Sequence, residues 1–223
     1  MPKQQQDSDR AHERALPRLY LISPPELSDL SAFSKTLEAV IRAGDVACFQ
    51  LRLKSVPDAQ ILEAASALFP IAQELGVACL INDRPDLAKQ AEADGVHVGQ
   101  QDATIAFARK TVGANGIVGV TCHDSRHLAM EAAEAGADYV AFGAFFQTAT
   151  KVPLSHATPD ILSWWQDVME VPCVAIGGIN PDNGEELMRA GADFLAVSGG
   201  VWDWSKGPEA ACAAFAEMAQ KCV

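Results

Sequence analysis

Three times the chain closes a helix-like stretch with small residues and an aspartate, then runs directly into an apolar strand: Ala93-Asp94-Gly95-Val96-His97-Val98-Gly99, Gly136-Ala137-Asp138-Tyr139-Val140-Ala141-Phe142-Gly143 and Gly191-Ala192-Asp193-Phe194-Leu195-Ala196-Val197-Ser198. A looser copy is Gly44-Asp45-Val46-Ala47-Cys48-Phe49-Gln50. A helix that stops on a small residue and re-enters a buried strand through so short a turn leaves few ways to lay one unit beside the next. Eight short apolar runs recur about every 25 residues, around Leu19 to Ile22, Val46 to Leu51, Val77 to Ile81, Gly95 to Val98, Ile117 to Val120, Tyr139 to Phe142, Cys173 to Ile176 and Phe194 to Val197. Helical spacing fills the intervals: Ala59 to Leu75 is amphipathic, Pro181 after Asn180 signals a helix start, and Gly44, Gly76, Gly136 and Gly191 stop helices. Strand then helix, eight times over, requires parallel pairing, and runs apolar on both faces fit strands covered outside and packed inside. The expectation is an α/β fold, a single-domain (β/α)8 TIM barrel over residues 18–223 behind a flexible N-terminal tail of residues 1–17, with an open doubly wound sheet as the alternative.

The 223 residues, 49% of them hydrophobic, suffice for one large core. A net charge of −12 argues against nucleic acid or an anionic membrane as partner, so any phosphate site must be local. No apolar run approaches the roughly 20 residues that span a bilayer, and Met1 to Pro17 is polar and lacks the apolar centre of a signal peptide. A cytoplasmic location is expected, and the sequence leaves a homo-oligomer open. Cys48, Cys79 and Cys173 fall in apolar runs and Cys212 and Cys222 near the C-terminal helix, without metal-type spacing. They read as reduced thiols acting as small hydrophobes. Cys122 follows a strand end, with no activating base pattern.

In such a barrel the chemistry belongs at the carboxyl ends of the strands. The second strand closes with Gln50-Leu51-Arg52-Leu53-Lys54, and a period of two sets Gln50, Arg52 and Lys54 on one face, toward the mouth. Two cations and an amide on the inward face call for an anionic ligand. The third strand ends at Asn82-Asp83-Arg84-Pro85-Asp86 and the fourth at Gly99-Gln100-Gln101-Asp102. Asp83 and Asp102 follow adjacent strands, so two carboxylates can face one another, a donor set that suits Mg2+ completed by water and substrate phosphates. The alternative makes each a helix N-cap, Asp102 ahead of Ala103-Thr104-Ile105, while Asp86 reads as first-turn helix chemistry. The sixth strand leads into Gly143 to Lys151, a lid-like connection with Thr148, Thr150 and Lys151 in alternation, and the seventh and eighth end in Gly177-Gly178-Ile179-Asn180 and Ser198-Gly199-Gly200, a phosphate cradle.

Taken in order, Gln50-x-Arg52-x-Lys54, Asn82-Asp83-Arg84-x-Asp86-Leu87-Ala88, Gly95-Val96-His97-x-Gly99-Gln100-x-Asp102, Thr148-x-Thr150-Lys151 and Ala175-Ile176-Gly177-Gly178-Ile179 resemble the thiamine phosphate synthase family, over about Arg18 to Val201. The resemblance implies a transferase that joins hydroxymethylpyrimidine pyrophosphate to a thiazole phosphate, with Mg2+ and release of pyrophosphate, by a dissociative step. It implies that Gln50, Arg52, Lys54 and Asn82 hold the pyrimidine pyrophosphate, that Asp83 and Asp102 bind the metal, and that Lys151 neutralises the departing anion. Thr148, Thr150, Gly178, Ser198 and Gly199 would seat the thiazole phosphate, and Thr121 stands where the family commonly has a serine near the pyrophosphate. Fixed cations beside a departing anion are what such a step needs, which makes Lys151, Arg52 and Lys54 the catalytic set.

The chain departs from the family at Leu53, which replaces an acidic residue, at Ser23-Pro24-Pro25, which replaces a threonine-aspartate ending, and at Ser198-Gly199-Gly200-Val201. Rival readings are a related thiazole tautomerase, with His123 as acid/base, and a non-catalytic barrel that senses thiazole phosphate. His97 reads as a satisfied core or rim histidine, Trp164 and Trp165 as packing of the sixth helix, Trp202 and Trp204 as a surface or subunit contact, and Glu131 to Glu134 as a solvated helix face.

Overall fold

The computed structural model describes residues 15–147 and 155–222. Its strands are β1 (Arg18–Ile22), β2 (Val46–Leu51), β3 (Ala78–Asn82), β4 (Gly95–Val98), β5 (Ile117–His123), β6 (Tyr139–Gly143), β7 (Cys173–Ile176) and β8 (Phe194–Val197). Each pairs in parallel with the next, and β8 closes on β1, so the sheet is a barrel rather than an open doubly wound sheet. The helices between them are α1 (Leu30–Ala43), α2 (Asp58–Glu74), α3 (Pro85–Gln90), α4 (Ile105–Val112), α5 (Arg126–Glu134), α6 (Asp160–Val168) and α7 (Gly184–Ala190), followed by α8 (Gly199–Trp202) and α9 (Pro208–Gln220). No helix among the described residues is long and apolar enough to cross a membrane.

The aspartate repeat has a structural purpose. Asp94, at the foot of β4, accepts hydrogen bonds from the Cys79 N–H of β3 at 2.7 Å and from Gln73 of α2 at 3.0 Å. Asp138 before β6 accepts from the Val118 N–H of β5 at 2.7 Å and from Arg109 of α4. Asp193 before β8 accepts from the Cys173 N–H of β7 and from Gln166 of α6, both at 2.8 Å. In the looser copy Asp45 takes the Arg18 guanidinium at 2.8 Å. Each carboxylate thus ties an even strand to the odd strand before it, and in the three close copies also to the helix that leads into that odd strand. A charged acceptor on a strand N–H contributes roughly 1.5–3 kcal/mol. Gly136 and Gly191, at φ 87° and 120°, end α5 and α6's partner α7 in the left-handed turn that lets the aspartate follow at once.

Two apolar layers result. The outer one packs strand faces against the helices, with Trp165 of α6 fully buried against Phe142 and its Nε1 donating to the Val171 carbonyl. The inner one fills the barrel with Tyr20, Ile22, Cys48, Leu80, Tyr139, Ala141, Val174 and Ala196. Alanines on β6 and β8 leave the width that the two tyrosines occupy.

Several local expectations change. Cys122 lies inside β5, at a shift in the β5–β6 register between Thr121 and His123, rather than after the strand; burial pushes its thiol up to about 12, so it is inert. All six cysteines are free, and five are buried. Pro181 opens a turn rather than a helix: Asn183 accepts from the Asn180 N–H and α7 begins at Gly184. Thr104, not Asp102, caps α4, accepting from the Phe107 N–H. Trp202 packs on Phe33 and donates to the Ile22 carbonyl at 2.6 Å, fastening α8 to β1 rather than serving only as a surface contact. Trp165, the first-turn Asp86 and exposed Glu131 and Glu134 stand as expected. The tail expectation falls mostly on residues 1–14, outside the described residues.

Candidate active site

At the carboxyl ends of β2, β3, β4 and β5 the polar residues converge. β2 ends at Leu51, yet its alternation persists beyond it: the Gln50 amide is buried inside the barrel, the Arg52 charge acts on His97 of β4, and Lys54 Nζ lies 3.0 Å from Asp83 Oδ2. Asn82 closes β3 beside His97 in the β3–β4 register. Asp83 follows in the left-handed region, φ 63°, its N–H donating to the His97 carbonyl at 2.7 Å. That strained turn holds the carboxylate at the rim instead of releasing it into α3 as a cap. Asp102 accepts from the Gly99 N–H at 2.9 Å and lies beside Asp83. Burial first, and then the neighbouring Asp83, raise Asp102 above its ordinary value, with Lys54 opposing.

Two apposed carboxylates, one of them raised in part by the other, could hold a cation by charge. Among the described residues no group of three or more His, Cys, Asp or Glu could hold a metal by itself. A two-carboxylate set fits Mg2+, which keeps waters and takes substrate phosphate oxygens for the rest.

Behind these charges a chain of hydrogen bonds threads the barrel. Gln50 Nε2 donates to Tyr20 Oη at 2.6 Å, Tyr20 Oη meets Tyr139 Oη at 2.8 Å, Tyr139 Oη meets His97 Nδ1 at 2.8 Å, and His97 Nε2 meets Thr121 Oγ1 at 2.8 Å. Gln100 donates to the Thr121 carbonyl at 2.7 Å. The sequence pattern does not mark the tyrosines as site residues; its one signal is that the chain has two tyrosines, both inside apolar strand runs. The expectation of a satisfied histidine at position 97 holds.

Burial pushes His97 down to about 4, with Asp83 opposing and Arg52 adding. The unfolded chain takes up this proton near pH 6.5 and the folded chain only near 4, so the stability is full above about 6.5 and is lost as pH falls toward 4, by about 3 kcal/mol in all. Urea midpoints of wild type and His97→Gln should therefore converge as pH drops from 7 to 4.5. A constant gap between them would contradict this assignment.

On the opposite arc, Ser198 and Gly199 follow β8 at the start of α8, and Gly178 follows β7 at φ 65°. A Cβ on Gly178 would lie 2.2 Å from the Gln147 carbonyl and one on Gly200 2.0 Å from that of Ile179, so these glycines also let the β6, β7 and β8 ends nest together. Ser23 joins the two arcs. Its Oγ accepts from the Arg52 N–H at 2.9 Å, and its carbonyl accepts from Ser198 Oγ at 3.1 Å. This departure from the family pattern is thus a buried bracket that aims Arg52. Leu53, another departure, packs on the core and, with Arg52 and Lys54, lines a cleft of about 960 Å3 between the loops after β1 and β2. Thr148, Thr150 and Lys151 lie outside the described residues. His123 closes β5 at φ 57°.

The family model described as thiamine monophosphate synthase matches residues 19–201. A thiamine-phosphate synthase of Rhodospirillum centenum is 62% identical over 198 residues, covering 89% of this chain and 95% of the relative. One of Hyphomonas neptunium is 51% identical over 212 residues, covering 93% and 96%. The solved thiamine phosphate pyrophosphorylase of Pyrococcus furiosus superposes with a TM-score of 0.79 at 28% identity, covering 92% of this chain and 96% of that one.

Proposed function

The chain belongs to the thiamine monophosphate synthase family, and from that premise we propose that it joins a hydroxymethylpyrimidine pyrophosphate to a thiazole phosphate at the mouth formed by β2 to β5. It is a transferase: a carbon–nitrogen bond forms at the thiazole nitrogen and the carbon–oxygen bond to pyrophosphate breaks. The observation that carries the site assignment is the meeting of Arg52, Lys54, Asp83 and Asp102, drawn from the loops after three successive strands, at one rim.

Charge dictates the division of labour. As the carbon–oxygen bond lengthens, negative charge gathers on the leaving diphosphate and positive charge on the pyrimidine methylene. Arg52 and Lys54, held in place before the reaction begins, stabilise the anion without having to reorganise, and Lys151 is assigned the same task. Asp83 and Asp102 would hold Mg2+, which when bound would neutralise diphosphate oxygens. Gln50, Asn82 and Thr121 orient the pyrimidine pyrophosphate, while Gly178, Ser198 and Gly199, with Thr148 and Thr150, seat the thiazole phosphate on the opposite arc so that its nitrogen can attack. In a chain of net charge −12 these few cations are the local attraction for phosphorylated substrates, consistent with action in the cytoplasm on small molecules.

Purified protein given both precursors is expected to form a product with the mass of thiamine phosphate in the presence of Mg2+ and none with a chelator. Isomerised thiazole without joining would replace this reading by the tautomerase, with His123 as acid/base. A rise in melting temperature with thiazole phosphate but no chemistry would replace it by a sensor.

A further inference from the structure

Tyr20, Tyr139 and His97 lie inside the barrel between two residues assigned to the ligand, Gln50 and Thr121. Four hydrogen bonds of 2.6–2.8 Å connect the five side chains in a single line. Two phenols and a neutral imidazole each have one proton to give, so every link is made and every one of those protons is used within the line only when all of them point the same way. The Gln50 amide sets that direction. Its Nε2 donates to Tyr20, whose proton goes to Tyr139, whose proton goes to His97 Nδ1, which leaves Nε2–H to donate to Thr121 Oγ1. The Cys48 thiol beside the Tyr20 hydroxyl is too weak a partner to divert the chain.

Both ends are then defined. Gln50 Oε1, on a side chain that is 3% exposed, has no hydrogen-bond partner among the described residues and is an acceptor waiting for a donor. Thr121, already accepting from His97, keeps its own proton for an outside acceptor. Reversing the line would require flipping the amide, both phenols and the imidazole tautomer together; Gln50 would then offer N–H and Thr121 a lone pair.

We propose that Tyr20, Tyr139 and His97 are positioning residues that couple the two ends of the site: an N–H donor on the ligand's heteroaromatic ring, bound at Gln50 Oε1, locks the relay in the direction that hands the Thr121 proton to an anionic oxygen of the same ligand. A ring presenting an acceptor there drives the relay backwards and turns a lone pair of Thr121 on the anion. Ring polarity is thereby checked at the point where the leaving group is held, through bonds that low-dielectric surroundings strengthen. Assigning one ligand to both ends depends on the synthase reading, whereas the direction of the relay does not.

Two measurements decide it. In ligand-free wild-type protein, nitrogen-15 NMR of labelled histidine should find His97 with its proton on Nε2 and a pyridine-type Nδ1; a proton on Nδ1 overturns the relay whether or not the chain is a synthase. In the second, kcat/KM with an aminopyrimidine diphosphate is measured for Gln50→Leu, Thr121→Val and their combination. Their effects should fall short of multiplying by on the order of tenfold in the wild-type background and by less than about twofold once Tyr139→Phe cuts the line. Non-additivity that survives Tyr139→Phe overturns the proposal, because the substrate alone would then be carrying it. Tyr20→Phe cuts the adjacent link and replaces Tyr139→Phe should the latter not fold. Absence of any joined product would sink the synthase reading while leaving the tautomer result to decide the relay.

Discussion

Asp83→Asn is expected to lower turnover by about two to three orders of magnitude in a protein that still folds. The substitution keeps size and hydrogen-bonding capacity but removes a formal charge from a pair whose neighbour, Asp102, is already raised by burial and by Asp83 itself. Asparagine readily adopts the left-handed backbone that position 83 requires, so the turn should survive. Lys54 would lose its ionic partner and with it a contribution that exposure keeps small, since half of its side chain faces solvent. Folding is checked by thermal melting, and turnover by product mass at several Mg2+ concentrations. Partial recovery at high Mg2+ is the expected signature of a weakened metal site. Wild-type rates in Asp83→Asn would remove both its assignment and that of Asp102.

Arg52→Ala should cost a comparable factor, about 10²–10³ in kcat/KM, but with a different signature. Its backbone N–H stays anchored to Ser23 Oγ, so the loop keeps its course and the guanidinium alone is lost. Raised KM for the pyrophosphate substrate, lowered kcat and no recovery with Mg2+ are expected from steady-state kinetics. If KM rises alone, Arg52 binds ground state and transition state equally and takes no part in stabilising the departing anion.

The barrel was legible because its repeat is nearly literal. Eight apolar runs with helical intervals admit few topologies, and their ends came within a few residues of those observed; β3 and β6 run one residue further, through Asn82 and Gly143, and β5 extends to His123. What the repeated aspartate does could not be read, because its partners Cys79, Val118 and Cys173 are backbone groups 15 to 20 positions away. The register shift around Cys122 was hidden for a similar reason, since it is defined only by pairing with β6. At the mouth, alternation was enough to group Gln50, Arg52 and Lys54, and adjacency of strands was enough to bring Asp83 near Asp102. Alternation could not reveal Tyr20 and Tyr139: in strands apolar on both faces, an inward tyrosine looks like any other core residue. In the sequence Ser23 is only a departure from a family pattern, and its role as a bracket between Arg52 and Ser198 exists only once β8 closes on β1.

The most direct test is a crystal grown with pyrophosphate and Mn2+ in place of Mg2+, read by anomalous scattering. The expected map has the metal peak between Asp83 and Asp102 with the diphosphate in reach of Arg52 and Lys54; a peak elsewhere, or a diphosphate bound away from both cations, would contradict the convergence on which the proposed chemistry stands.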